Sequence, residues 1–411
     1  MPSTFSVLTR NRDFRNLFLA ELVVFGGDWF VLVPLLNLLP ELTGSALWGA
    51  GVLAADTGIV ALLLPFTGTV ADRLDRRKIM MTANLAAIAA VLCLLTVRSA
   101  GTAWVTLAAM AAYAVAKAFY SPAAQAALPN LVDAVDLPAA NAIAGSAWGT
   151  MAVVGASIGG VLSAAFSPYT SILVTAAGLA VAAALAWRIR RPMQEVREPN
   201  GARQRTWHAI GEAMRYIRHR PRVLAFVTVK SAVGIGNGVL TAFPVIAAMF
   251  GVGVMGTGLL FAVRGLGALV GPLVTRPLLT HRSWLLPGLA ISMATYGVAY
   301  LGVSVAPWFP LVLVLVAVAH FAGGTNWTMS NYALQAEVPD ALRGRVFATD
   351  MMLATLAISV SQLVVGAFVD HVSVEVLFAA CGATTLLYAI GWRLATARLA
   401  TPEAPERVLS S

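Results

Sequence analysis

Segments of about 20 consecutive apolar residues recur along the whole chain, and a helix of that length spans the hydrocarbon core of a bilayer. Stretches such as Leu85 to Val97, Ile172 to Trp187 and Pro310 to Val318 are apolar all round rather than along one stripe, which is the pattern of helices solvated by lipid. Of the 411 residues 59% are hydrophobic and 11% charged, more apolar side chain than the interior of a water-soluble fold can hide. Twelve spans are predicted near 16–39, 46–71, 79–97, 103–127, 139–165, 168–188, 223–249, 254–275, 284–305, 308–333, 346–369 and 374–396. Only helices or closed barrels satisfy their backbone groups in lipid, and segments this long exclude the short alternating strands of a barrel. The fold class expected is an all-α membrane protein.

The net charge of +9 is distributed by side. Twelve spans put both termini on the same side, and 24 of the 28 Lys and Arg fall in segments on that side, with Arg98 alone opposite and Lys117, Lys230 and Arg264 inside spans. The positive-inside rule then places both termini in the cytoplasm, in a bacterial inner membrane. Topology and anionic membrane lipids account for the basic residues, so no nucleic-acid partner is expected. The first apolar run follows Arg10, Arg12 and Arg15 but is span-length and carries Glu21 and Asp28, so it reads as a retained helix rather than a cleaved leader. Cys93 and Cys381 lie in apolar helices and imply neither a disulfide nor a metal site.

One long polar stretch divides the chain, giving helical bundles over 1–189 and 222–411 joined by a cytoplasmic linker at 190–221. Within it Trp207, Ile210, Met214 and Ile217 share a helical face, predicting an amphipathic helix lying on the membrane surface. Gln125-Ala-Ala-Leu-Pro-Asn130 recurs as Gln335-Ala-Glu-Val-Pro-Asp340, and Gly68 to Arg73 as Gly271 to Arg276, at offsets of 210 and 203 and at equivalent span ends. The repeat indicates a duplicated six-helix unit, hence two pseudo-symmetric six-helix bundles, and in secondary transporters such halves rock about a central site.

The stretch Gly68-Thr-Val-Ala-Asp72-Arg73-Leu-Asp-Arg76-Arg77-Lys78 resembles the signature loop between helices two and three of the major facilitator superfamily. Gly26-Gly-Asp28-Trp29, Ser121-Pro-Ala-Ala-Gln-Ala-Ala-Leu-Pro129 with Ala140-Asn141, and Val338-Pro-Asp-Ala-Leu-Arg343-Gly-Arg345-Val-Phe347 resemble its drug:proton antiporter branch, which includes macrolide and enterobactin exporters. Two departures stand out: the fifth span reads Gly155-Ala156-Ser-Ile-Gly159-Gly160 without the proline of the antiporter motif, and the second loop has Thr275 where the first has Asp72. The resemblance implies that Asp72 accepts from free amides at the start of helix eleven, with Arg76 and its neighbours Arg73 and Arg77 completing a cluster that holds the cytoplasmic side shut. The same basic residues also read simply as positive-inside anchors. With Thr275 in the second loop, the lock is expected in the first half only.

Six charged side chains lie well inside spans: Glu21, Asp28, Asp56, Lys117, Lys230 and Arg264. Each would cost on the order of 3 kcal/mol facing lipid, so they are expected to face the bundle interior or a wet cavity. Asp28 falls near the midplane with Glu21 on the same face, beside the Gly26-Gly27 pair, and the two are the candidates for proton coupling; the alternative for Asp28 is a fixed ion pair. Lys117, between Tyr113 and Tyr120, either lines a substrate path or neutralises Asp28 or Asp56. Arg264 sits beside the small-residue face formed by Gly267 and Gly271 and is a cavity or gating candidate. His320, Gly324, Trp327 and Asn331 recur at intervals of four, three and four, a polar and aromatic stripe suited to an amphipathic ligand; His320 is either a proton relay or a hydrogen-bonded packing residue.

No GxxxxGK[ST] element, Ser-His-Asp set or HExxH motif occurs, so neither ATP-driven transport nor catalysis is expected, and no cofactor, metal or catalytic residue is assigned. The sequence points to a monomeric exporter of lipophilic or amphipathic small molecules, drugs or a secreted metabolite such as a siderophore, driven by proton antiport. An uptake symporter and a lipid flippase on the same fold are the alternatives, while a non-transporting scaffold would have no reason to keep intramembrane carboxylates.

Overall fold

The computed structural model describes residues 6–133, 135–194, 206–275 and 282–399; Gly68, the side chains of Asp72, Arg73 and Trp207, and Arg276 lie outside the described residues. The spans are α1 (Arg12–Thr43), α2 (Leu47–Arg73), α3 (Arg76–Cys93), α4 (Ala103–Leu131), α5 (Leu137–Ala165), α6 (Pro168–Arg188), α7 (Pro221–Met249), α8 (Gly253–Thr275), α9 (Leu285–Val303), α10 (Phe309–Glu337), α11 (Asp340–Phe368) and α12 (Val374–Thr396). Among the described residues eleven helices are long and apolar enough to cross a membrane, and α5 contributes a shorter apolar stretch, Gly149–Ala165, within a 29-residue helix. The twelve spans read from the sequence are thus present as helices.

Their ends are set by local chemistry. Asn11 caps α1 by accepting from the Phe14 amide at 3.0 Å, and Gly44, at φ 72°, closes the same helix in the left-handed conformation that favours glycine. Asp75 caps α3 through the amides of Arg77 and Lys78. The sequence reading had span seven as one continuous helix, but α7 is broken: an α-helix to Gly236, a 3-10 segment over Asn237–Ala242, then α-helix again from Phe243. Pro244 lacks an N–H and crowds the carbonyl four residues earlier, and a run of glycines at 234, 236 and 238 precedes it. The Asn237 side chain, bonded to the Val233 carbonyl at 2.6 Å, satisfies part of the backbone that the break exposes.

The helix pairings repeat with a shift of six. In the first six helices α1 packs on α6 and α5, α2 on α4, and α3 on α4 and α6; in the last six α7 packs on α12 and α11, α8 on α10, and α9 on α10 and α12. Two antiparallel pairs join the sets, α5 with α8 and α2 with α11. We call the end that carries the start of α1 and the end of α12 the terminal face. The small residues of α8 permit close backbone approach: a Cβ on Gly267 would lie 2.3 Å from the Ala317 oxygen of α10, and one on Gly271 2.1 Å from the Phe321 oxygen.

At the terminal face the linker helix Thr206–Arg218 is amphipathic as expected, but its apolar side is covered by protein rather than laid on lipid. Ala213 and Ile217 are buried in a cluster with Val338 and Val346, and Glu212 pairs with Arg345 of α11 at 2.5 Å. An apolar helix face signals burial without saying what covers it.

Because the α8–α10 contact has no room for a side chain, Gly271→Val is expected to destabilise the protein by about 1–3 kcal/mol through overpacking. Gly391→Ala, where an added Cβ meets nothing within 4 Å, should leave stability unchanged. Thermal unfolding of the two purified variants in detergent checks the contrast.

Candidate coupling site

Three helices bring one ammonium against two carboxylates. Asp28 is the seventeenth of the 32 residues of α1 and Lys117 the fifteenth of the 29 of α4, so both lie at mid-helix, and Asp56 approaches from α2. The Lys117 Nζ is 2.6 Å from Asp56 Oδ1 and 3.1 Å from Asp28 Oδ2. The Tyr113 hydroxyl donates to Asp28 Oδ1 at 2.7 Å, and its ring centroid lies 5.1 Å from the same ammonium. Tyr113 sits one turn before Lys117, which is why the two side chains converge. Of the two readings of Lys117 the structure shows the ion pair, made with both acids at once; its side chain is 13% exposed, beside Asp28 at 18% and Asp56 at 13%.

The backbone of α1 is shaped for this. A Cβ on Gly27 would lie 3.2 Å from Thr175 of α6, so glycine lets α6 close on α1 beside the acid. On its outer side α1 forms, with α5 and α6, an apolar groove of about 560 Å³ whose lining includes Gly26, Gly27, Met151, Gly155 and Thr175. Trp29 reaches the other way, its ring 5.3 Å from that of Phe261 and under the Arg264 guanidinium at 5.8 Å. Arg264 is therefore at the junction of α1 and α8. It also acts electrostatically on Tyr296, Tyr300 and His320.

With all three groups ionised the cluster carries one more negative than positive charge. A proton on either carboxyl makes it neutral, and so does a cationic group from a ligand. Glu21, two turns nearer the terminal face, is buried and lies within electrostatic reach of the Tyr120 hydroxyl, which is itself buried with no hydrogen-bond partner among the described residues. The Glu21–Tyr120 pair is thus separate from the Asp28 cluster.

The remaining candidates gather elsewhere. Lys230 of α7 donates to Asn331 Oδ1 of α10 at 2.7 Å and to the Asp350 carboxylate of α11, over the Trp327 ring at 5.0 Å. Lys230 and Asp350 are sealed, at 0% and 1% side-chain exposure. Asp350 thus finds its partner in a lysine 120 residues away in the chain. His320 bonds the Tyr300 hydroxyl at 2.8 Å and meets Tyr296 edge-on, so it faces α9. Gly324 abuts Ala268 of α8. The stripe on α10 is real in spacing, but its members serve three different neighbours rather than one path.

In the signature loop Arg76 donates to the carbonyls of Ala71, Ala126 and Met193, and Arg77 to that of Arg191. These bonds tie together the ends of α2, α4 and α6 within the first six helices, cations on helix C-termini.

Comparison with known proteins fits this architecture. A multidrug efflux pump, Tap, of Mycolicibacterium fortuitum is 25% identical over 90% of this chain and 92% of its own length. An uncharacterized MFS-type transporter of Mycobacterium bovis is 29% identical over 77% of this chain and 76% of its own. Among solved structures the nucleoside transporter NupG superposes with a TM-score of 0.71 at 16% identity, covering 93% of this chain and 98% of that one. A bacterial homolog of the human lysosomal transporter Spinster, in an inward-facing and unoccupied conformation, gives 0.69 at 16% identity over 98% and 99%. The family model described as Major Facilitator Superfamily matches residues 17–290 and 239–410, which together take in all twelve helices, and the chain belongs to that superfamily of secondary transporters.

Proposed function

We propose that the protein exports lipophilic or amphipathic small molecules from the bacterial cytoplasm across the inner membrane in exchange for protons, with Asp28, Asp56 and Lys117 as the coupling site. The observation that carries this reading is the excess of one carboxylate over ammonium at mid-membrane. A proton on Asp28 removes its charge from Lys117 and weakens the acceptor seen by Tyr113; loss of that proton restores both bonds. The site thus has two charge states that differ by one proton and by the bonds holding α1 to α4. A substrate group that competes for Asp28 exchanges with the proton, the requirement of antiport.

Export is favoured over uptake by the overall similarity to the efflux pump, and a lipophilic substrate by the apolar, membrane-facing groove backing the Gly26-Gly27 turn of α1. The face opposite the termini is zipped by hydrogen bonds between the two sets of helices, which closes the outer side when the termini are cytoplasmic.

In proteoliposomes, Asp28→Asn is expected to lower proton-gradient-driven substrate efflux at least about tenfold, the rate equivalent of about 1.4 kcal/mol, while substrate counterflow without a gradient persists. Undiminished gradient-driven efflux would remove Asp28 from the coupling step. Substrate moving with the imposed proton gradient, and reversing its direction when the gradient is reversed, would instead identify a symporter.

We assign the balanced Lys230–Asp350 pair a clamping role in the last six helices. Lys230→Met strands a buried carboxylate and should cost about 3–5 kcal/mol of stability, most of it recovered in Lys230→Met with Asp350→Leu. Melting temperatures in detergent read the difference, and a double variant no more stable than the single one would contradict the clamp.

A further inference from the structure

The face opposite the termini carries a device that the signature loop does not explain. Asp370 follows α11 by two residues and reaches across to the start of α2, in the other set of six helices. Its Oδ1 accepts from the Ala46 amide at 2.9 Å and its Oδ2 from the Ser45 hydroxyl. Ala46 is the N-cap residue of α2 and offers no capping side chain of its own, so the free amide at that helix start is served by a carboxylate from across the molecule. Gly44, in its left-handed conformation, turns the chain so that Ser45 and Ala46 present these donors.

The contact continues inward along the same two helices. Gly366 lies against Ala50, where an added Cβ would come within 2.1 Å; the Thr57 hydroxyl donates to Gln362 at 3.0 Å; and the Ser359 hydroxyl donates to the Ala54 carbonyl at 2.8 Å. From Asp370 to Ser359 is about 16 Å of helix. One more bond, Thr257 to Asn37 at 3.1 Å, joins α8 to α1 at the same end. These hydrogen bonds between the first six and the last six helices all lie in this half of the membrane.

The helices α2 and α11 are antiparallel, so each N-terminus lies beside the other's C-terminus. Each also ends in an aspartate at that point: Asp72, the penultimate residue of α2, at the terminal face, and Asp370, just past α11, at the opposite one. Two rigid helices that rock about their middle can close one end only by opening the other.

We propose that Asp370 is a gating residue, the latch of the opposite face: it caps α2 while that face is closed and releases it when the face opens to discharge substrate. The proposal rests on the alternating-access reading above but not on the identity of the coupling site. Asp370 is solvent-exposed, so the latch stays weak enough to release in each cycle, unlike the sealed Lys230–Asp350 pair. The Gln362 and Ser359 bonds, deeper in the helix pair, align the two helices as the latch closes.

Two pairs of spin labels test this in protein with Cys93→Ser and Cys381→Ala. One pair, on Leu47 and Phe368, reports the opposite face; the other, on Leu74 and Gly344, reports the terminal face. Pulsed electron-electron distances are recorded in nanodiscs with neither substrate nor proton gradient. Asp370→Asn is expected to raise the population with the long Leu47–Phe368 distance at least about threefold and to shorten the Leu74–Gly344 distance in step. Ser45→Ala should act in the same direction but less, and Asp370→Glu should keep the parent distribution. Unchanged or oppositely shifted distributions in Asp370→Asn would overturn the latch. That outcome leaves the coupling proposal standing, and an inert Asp28→Asn, read as transport, leaves the latch standing.

Discussion

A charge in the middle of a bilayer has no water to turn to, and the structure is organised around that constraint. Lys117 is bound to two acids from two other helices, so α1, α2 and α4 are held in register at mid-membrane by one ammonium. The acids and the lysine depend on each other. Removing the lysine would leave two carboxylates facing one another, and removing the acids would leave an ammonium with only an aromatic ring beside it. Beside the acid, Gly27 leaves room for Thr175 of α6, which an added Cβ would crowd at 3.2 Å.

The two contacts between the helix sets use different physics. Along α5 and α8 the surfaces are small residues meeting backbone to backbone, Gly160 on Gly258 and Ala152 on Gly265, and no described hydrogen bond crosses between them. Along α2 and α11 polar groups meet at the end opposite the termini. A contact of small apolar residues keeps its packing through a modest tilt, whereas a hydrogen-bonded contact is either made or broken. One pair can therefore act as a pivot while the other acts as a catch.

The membrane made most of the fold legible in the sequence. Lipid forces each span to be long and apolar, so the twelve helices could be read from hydropathy alone, and the few charges inside them were conspicuous. What the sequence did not resolve was which polar groups meet. Lys117 with Asp28 or Asp56 was one of two readings, and the structure gives both bonds at once. Asp350 lies eleven residues into α11, and nothing adjacent in the sequence marks its partner; the approach of α7, 120 residues away, makes it the partner of Lys230. The stripe of His320, Trp327 and Asn331 had the right spacing, but one face of a helix in a bundle touches several neighbours. The break in α7 had a signal, glycines at 234, 236 and 238 ahead of Pro244, that apolar length concealed. Amphipathicity located the linker helix without revealing that α7 and α11, not lipid, cover it.

The two interior ion clusters differ in the property that matters for carrying a proton. Lys230 and Asp350 balance, one charge to one, with Asn331 filling a further hydrogen bond of the amine and no side-chain surface left to exchange with solvent. Adding a proton there would strand a buried ammonium, so the pair resists a change of charge state. The Asp28 cluster is the reverse. It has two acids to one amine, a tyrosine able to donate to either protonation state's remaining lone pair, and partial exposure on all three charged side chains. Adding a proton there relieves an excess of negative charge rather than creating a positive one. Of two clusters built from the same residue types, only the one with the odd carboxylate can change its charge without losing its structure. On the antiport proposal, that asymmetry favours protonation in the first six helices and a shape-holding role for the pair in the last six.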